Sequence, residues 1–466
     1  MPVRVFLGVL ALLLAGLYAL WLDVAQPDEI RSAARLGGER WYRLHMEGSH
    51  IGYVHTRSWR DARGHWRFET LTHFSLNGEA PVSVSDRLEF RAAPPYDLAS
   101  AEHWSRRSGS DPQGVIVESG EDGTTNTFVR GAETDSRPVD WKYALRDYLG
   151  LEIWLARQRP PAGGRFTARI FDFDRSEPVS RTFRIVEENE TGYLVESPAP
   201  LRATTIQLNR RLAPVELSMA GIFVATRATR SDALANRTPL HLTDFRIPLD
   251  TRLQNPHEIE RLSLSGHRGL DLGRIWPQAR RSPGGWLLET SANPVSRRDS
   301  PASALAETLS YPISHPAVAG LARRAVGDSA NDEVRLARLV EFVHEYIAYR
   351  PQGPQRTVLE TITERSGDCT EFANLLTALA RSAGLPARTV MGLAYSEGTQ
   401  PSLAFHAWNE VLVDGAWRAV DPTWNQVRAD ATHIPLPDNQ AALLHSMQGR
   451  NPLEFEIDEV IYSSGT

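Results

Sequence analysis

Cys369, His406 and Asp421 are the residue types of a thiol nucleophile, its base and an acid that fixes the base's tautomer. Cys369 is the only cysteine of the 466-residue chain, so no intramolecular disulfide and no paired-cysteine zinc site can claim it. Its surroundings, "RSGDCTEFANLLTALARSAGLP" from Arg365 to Pro386, place it at a helix start. Asp368 suits the N-cap and Glu371, three residues on, completes a capping box, which makes Cys369 the first residue inside. Phe372, Leu375, Leu376, Leu379 and Ala383 supply the apolar stripe, and Gly384 with Pro386 ends it. The free amides and positive dipole end of a helix start favour thiolate over thiol and could hold an oxyanion. By itself a lone cysteine is equally consistent with a small buried hydrophobe.

The base and acid come from "FHAWNEVLVDGAWRAVDPTWNQ", 405–426. This reads as two strands around Asp414-Gly415, a dipeptide preferred in two-residue hairpin turns. With that turn Val413 faces Ala416, Leu412 faces Trp417, and the ladder continues to Trp408 facing Asp421. His406 then shares a face with Trp408 and lies diagonal to Asp421, roughly 7 to 8 Å away between backbones, within reach of side chains. A slip of one residue would separate them. Leu412, Trp417 and Ala419 are expected on the same face as the apolar body that meets the cysteine helix. Glu371 reads as the capping partner, Trp408 as a core residue that could also shield the site, and Trp424 with Asn425 as residues of the cleft or of a turn.

Taken together, "GDCTEFANLL", "GLPARTVMGL" and the hairpin segment resemble the core of the transglutaminase-like superfamily, particularly its bacterial members, over about Tyr311 to Gln426. The resemblance implies a papain-like fold with Cys369 as nucleophile, His406 as general base and acid, and Asp421 as orienter. It implies attack on a peptide or protein amide, an acyl-thioenzyme, and transfer to an amine or to water, with no cofactor. The alternative is a catalytically inert envelope scaffold that keeps the fold for binding. The calcium used by animal members does not carry over, because no matching ligand set is visible.

Other chemistry fails on spacing. His257-Glu258 and His344-Glu345 lack the second histidine of HExxH, and no phosphate loop or EF-hand loop is present. His45, His50, His55, His65 and His73 fall on strand-like segments as separate positions, so no metal site is expected there.

The elements that must position the three residues occupy only part of the chain. At 466 residues two or three domains are expected. An apolar fraction of 41%, a charged fraction of 23% and a formal charge of -6 describe ordinary globular protein and give no footprint for nucleic acid. Arginine supplies all the basic residues except Lys142. Arg4 precedes an uncharged, mainly apolar run from Val5 to Leu22, long enough to cross a bilayer and with poor cleavage sites after it. It reads as an uncleaved signal anchor that would hold the protein in the inner membrane as a single-pass chain with its bulk in the periplasm.

From Glu39 to about Asp250 the periodicity is mostly two, with turn residues between short runs, interrupted by one helix in "DWKYALRDYLGLEIWLARQ". A Ser, Pro and Arg-rich stretch from Ser291 to Ser303 precedes "NDEVRLARLVEFVHEYIAYR", whose Val334, Ala337, Leu339, Val340, Val343 and Ile347 recur on one helical face. The expected fold class is therefore α+β: an N-terminal transmembrane helix and linker (1–38), an antiparallel β-rich domain (39–300, possibly divided near 250) with a possible envelope protein partner, and a transglutaminase-core domain (301–466) in which the cysteine helix packs on a sheet bearing His and Asp.

Overall fold

The computed structural model describes residues 26–46, 48–75, 80–120, 122–197, 204–219, 223–235, 246–266, 272–295, 300–351, 356–436 and 454–463. The expected anchor, Val5 to Leu22, lies outside these residues. Among the described residues no helix is long and apolar enough to cross a membrane.

Between Gly38 and Ala228 the period-two pattern builds one antiparallel sheet of fourteen strands. The strand Gly38–Met46 lies at its middle, paired with Ser49–Arg60 on one side and with Phe223–Ala228 on the other. From Ser49–Arg60 the chain meanders outward to the edge strand Glu133–Val139; it re-enters at the opposite edge with Arg165–Asp172 and meanders inward to Phe223–Ala228. Tyr42, Leu44 and Met46 are buried while their neighbours are not, as alternation requires when one face is covered. The segment from Asp140 to Gln158 is not one helix. Leu98 takes the carbonyl of Tyr143 and Asp97 bridges Ala144, which keeps the first residues extended. Two short helices follow, Leu145–Tyr148 and Gly150–Gln158; Leu145 and Leu149 pack with Phe68, Phe90, Val115 and Val117, and Leu151, Trp154 and Leu155 with Phe183, Ile185 and Val195.

Past residue 245 the sheets change. Arg246–Pro248 pairs with Ser402–Val413, which also pairs with Ala387–Ser396 and Ala416–Val420. Ile259–Gly266 lies between Gly285–Ser291 and the C-terminal strand Phe455–Tyr462. Its Leu262 and Leu264 share a core with Leu393, Leu403 and Ile434. Residues before and after position 300 thus share one core. Strand partners change at Arg246, and residues 246–266 and 272–291 bury apolar side chains in a core shared with the C-terminal strands.

The helices Pro316–Val326, Asp332–Tyr346 and Cys369–Ser382 form a second core with Ala387, Val411, Val413 and Val420. In the middle helix Asn331 caps the amide of Val334, and Leu336, Leu339, Val340 and Val343 are buried; Val334, expected on that face, is exposed. The strand Ser402–Val413 thus meets one core through Leu403 and Phe405 and the other through Val411 and Val413, with His406 between them. Burial by two cores explains why this strand is nearly continuously buried instead of alternating.

Gly392 lies opposite His406 in the ladder. A Cβ placed there would come within 2.3 Å of the Trp408 ring and 2.4 Å of the Ile434 carbonyl oxygen. Gly392→Ala is expected to cost about 1 to 3 kcal/mol, as overpacking of a filled core does, measured as a lowered denaturant midpoint at unchanged slope. An unchanged midpoint would show that the Trp408 ring is not held.

Candidate active site

The cysteine helix begins where the capping signals place it. Asp368 Oδ1 accepts the Thr370 amide at 2.8 Å, and Glu371 Oε2 accepts the Asp368 amide at 2.8 Å. Glu371 Oε1 also takes the Arg356 amide at 2.8 Å, so this buried carboxyl joins the helix start to the preceding loop. Cys369 is the first helical residue and is partly exposed. Phe372, Leu375, Leu376 and Leu379 are buried beneath it.

The hairpin has the expected register. Asp414 and Gly415 both take positive φ, 49° and 78°, as a tight two-residue turn needs. Val413 faces Ala416, Leu412 faces Trp417, and pairing runs to Asn409 facing Val420. One step further, Asp421 has left the strand and closes a short loop on itself, its amide and carbonyl each bonded to Gln426 at 2.8 Å. There Asp421 Oδ2 meets His406 Nε2 at 2.7 Å. Cys369 adjoins the same imidazole closely enough to raise its affinity for a proton. Cys369, His406 and Asp421, 37 and 15 residues apart in sequence, are in this way brought together.

The face turned to the cysteine helix is not the one expected. Asn409, Val411 and Val413 meet it; Asn409 Nδ2 donates to the Ala373 carbonyl at 2.7 Å and to Thr377 Oγ1 at 2.8 Å. Trp408 and Ala419 instead form a small cluster with Val390 and Ala429, and Trp417 covers the Arg388 guanidinium at 4.8 Å. Arg388 stands opposite Glu410 in the ladder, and its Nε donates to that carboxylate at 2.8 Å. The alternation of the strand is unchanged; the helix approaches its other side.

Two further residues complete the surroundings of His406. The Trp424 ring stacks on the imidazole at 4.3 Å and 10°. His433, with no exposed surface, places Nε2 at 3.2 Å from Asp421 Oδ2 and Nδ1 at 3.3 Å from Asp430 Oδ1. Sequence reasoning passed over His433 and Asp430. Their signal was the spacing in "DATHIP", a histidine three residues after an aspartate just past the orienting acid. His406, Asp421 and His433 hold potential ligand atoms within 4.8 Å of one another, as do Asp61, His65 and Glu89. In the first group those atoms are already hydrogen-bonded to each other; in the second, Arg67 pairs with both carboxylates. Of the other strand histidines, His73 bonds Ser83, His55 pairs with Glu39, and the rings of His45 and His50 stack at 5.5 Å.

Burial pushes the His406 imidazole down, but the Asp421 charge and the adjacent Cys369 outweigh it and raise the group to about 10. Burial pushes the Asp421 carboxyl up, and the two imidazoles more than reverse this, holding it well below the usual carboxylate range. Burial and the neighbouring Asp368 charge raise Glu371 to about 7. A fully buried imidazolium between a thiol and a carboxylate is the arrangement that can exchange a proton with sulfur on one side while its tautomer is held on the other.

Residues 319–422 match the family model of the transglutaminase-like superfamily. They form a transglutaminase-like core. Over 90 residues the chain is 36% identical to the kyphoscoliosis peptidase of Mus musculus, a stretch of 18% of this chain and 13% of that protein. Over 191 residues it is 28% identical to the protein-glutamine gamma-glutamyltransferase of Pseudomonas aeruginosa, covering 38% of this chain and 26% of that one. The chain thus spans between about an eighth and a quarter of the length of these relatives. Among solved structures, the periplasmic domain of TgpA from Pseudomonas aeruginosa shares 17% identity over 39% of this chain and 87% of that one, with a TM-score of 0.25.

A histidine in the unfolded chain deprotonates near 6.5, whereas His406 in the folded core holds its proton to about 10. Its contribution to stability is whole below about pH 6.5 and is lost as pH rises through 10. The thermal midpoint should fall across that window, and His406→Gln should flatten the fall. An identical slope in the variant would place the pH dependence elsewhere.

Proposed function

We propose that the transglutaminase-like core is a cysteine-dependent acyl-transfer enzyme acting on peptide or protein amides. The observation that carries this is the single imidazole of His406, bonded to Asp421 at 2.7 Å and adjoining Cys369, the first residue of a helix. Cys369 sulfur, its proton passed to His406, attacks the acyl carbon. The carbonyl π electrons move to oxygen, for which the Cys369 amide at the helix start is the proposed oxyanion donor. When the tetrahedral intermediate collapses, the C–N bond breaks and the His406 proton goes to the departing amine, leaving an acyl-thioenzyme. Water or an incoming amine then gives a proton to His406, attacks the thioester and releases Cys369. Asp421 keeps Nε2 of the ring protonated throughout and balances the imidazolium. Trp424 shields one face of the ring from water and, by its stacking, favours the charged state.

Cys369→Ala should lower turnover of an amide substrate by on the order of 10^6, and Asp421→Asn by about 10^4, as loss of the nucleophile or of the tautomer-fixing acid does in other triads. Mass spectrometry of the products with and without an added primary amine separates transfer from hydrolysis. If the wild-type chain labels with a thiol-directed acyl probe no faster than free cysteine, and His406→Ala changes nothing, the enzyme reading fails and the inert scaffold replaces it.

A further inference from the structure

Asp421 is shared. Its Oδ1 accepts the Thr423 amide at 2.7 Å, and its Oδ2 faces two imidazole nitrogens, His406 Nε2 at 2.7 Å and His433 Nε2 at 3.2 Å. His433 has a carboxylate oxygen against each ring nitrogen, and a carboxylate can only accept, so both nitrogens must donate. Asp430 is itself fixed as an acceptor: Thr432 donates to Oδ1 through its amide at 2.8 Å and its hydroxyl at 2.6 Å, and Gln426 Nε2 donates to Oδ2 at 2.7 Å. His257 Nδ1 lies 3.2 Å from the same Oδ2. Gln426 returns to Asp421 through the paired backbone bonds, so the loop from Asp421 to His433 is a closed unit.

We propose, resting on the thiol-enzyme reading above, that His433 is a positioning residue: anchored by Asp430, it clamps the Asp421 carboxylate so that its charge and direction toward His406 are fixed. Asp421 sits beyond the end of its strand; the paired bonds to Gln426 fix its backbone, but a carboxylate held only by His406 could turn with the ring it is meant to orient. The Thr423 amide restrains one oxygen; His433 supplies the second restraint, on the oxygen that meets His406. Its positive charge also divides the Asp421 charge between two rings. The groups that face His433 are Asp421 and Asp430 through hydrogen bonds and His406 with ring centres 5.7 Å apart; the Trp408 and Trp424 rings enclose it at 5.1 and 5.3 Å. Burial would lower the proton affinity of this imidazole, and the two carboxylates reverse that and raise it above the ordinary histidine value. His433 touches no substrate in this account and acts only through Asp421.

The test compares His433→Asn with His433→Gln in the full chain, each shown folded by its thermal transition. The glutamine amide can reach the place of Nε2 and restore the donor to Asp421; the asparagine amide reaches only toward Asp430. His433→Asn should lower kcat on an amide substrate about 10- to 100-fold, the usual loss when a hydrogen-bond partner that orients a functional ligand is removed, with KM unchanged. His433→Gln should recover most of that. Both variants lose a cation beside His406, so the alkaline limb of Cys369 alkylation by iodoacetamide should move to higher pH in each. Wild-type kcat and an unmoved limb in both variants overturn the proposal, and so does an equal loss in both with no movement of the limb, which marks His433 as packing alone. A wild-type Cys369 that alkylates at the rate of a free thiol overturns instead the enzyme reading on which the proposal rests.

Discussion

Asp421 reaches His406 only in the register that sets Leu412 against Trp417 and Val413 against Ala416. Strand side chains alternate with a period of two, so a slip of one residue would turn the acid away from the base while leaving the composition of the site unchanged. Several local features hold that register at once. Asp414 and Gly415 supply the positive φ of the turn, Arg388 and Glu410 form an ion pair across the neighbouring strand, and Asn409 ties the strand to the cysteine helix through the Ala373 carbonyl. The hairpin and the helix are thus one mechanical unit, and the position of Cys369 relative to His406 follows from it.

The second constraint is charge. His406, Asp421, His433 and Asp430 are all buried, and ions are removed from water at a cost that only good pairing offsets. The offset here is a chain of alternating signs in which each carboxylate touches an imidazole and at least one backbone amide. Deleting one partner of such a buried pair costs about 3 to 5 kcal/mol, so truncation of Asp421 or Asp430 would test the fold as much as the chemistry. The arrangement of the two cores fits this demand. His406 lies where the core of the helices meets the core that holds Leu262, Leu264 and Leu403, with Trp424 stacked on one face of its ring.

Much of this was legible in the residues. The capping box at Asp368 and Glu371, the turn at Asp414-Gly415 and the diagonal from His406 to Asp421 depend on contacts within a few residues or across one hairpin, and such contacts leave marks in sequence. What could not be read depends on distant packing. Which side of the hairpin meets the cysteine helix is set by Val411 and Val413 joining a core with Leu339 and Val343, not by the alternation itself, which both sides satisfy. Residues 246–291 gave no sign that they belong with the C-terminal strands, because their partner, Phe455–Tyr462, lies nearly two hundred residues on. His433 escaped notice because a buried histidine that clamps an acid has no motif beyond its neighbour Asp430. In the β-rich half, alternation disclosed the architecture but not the pairing order, since a meander and other antiparallel orders share the same period.

The proposed chemistry depends on His406 being an imidazolium held between Cys369 and Asp421. Titration of its ring nitrogens by NMR in the folded, full-length chain measures this directly. Both nitrogens should stay protonated through neutral pH and lose a proton only toward about 10. A ring that titrates near 6.5, as a free histidine does, would contradict the buried charge pair on which the proposed chemistry is built.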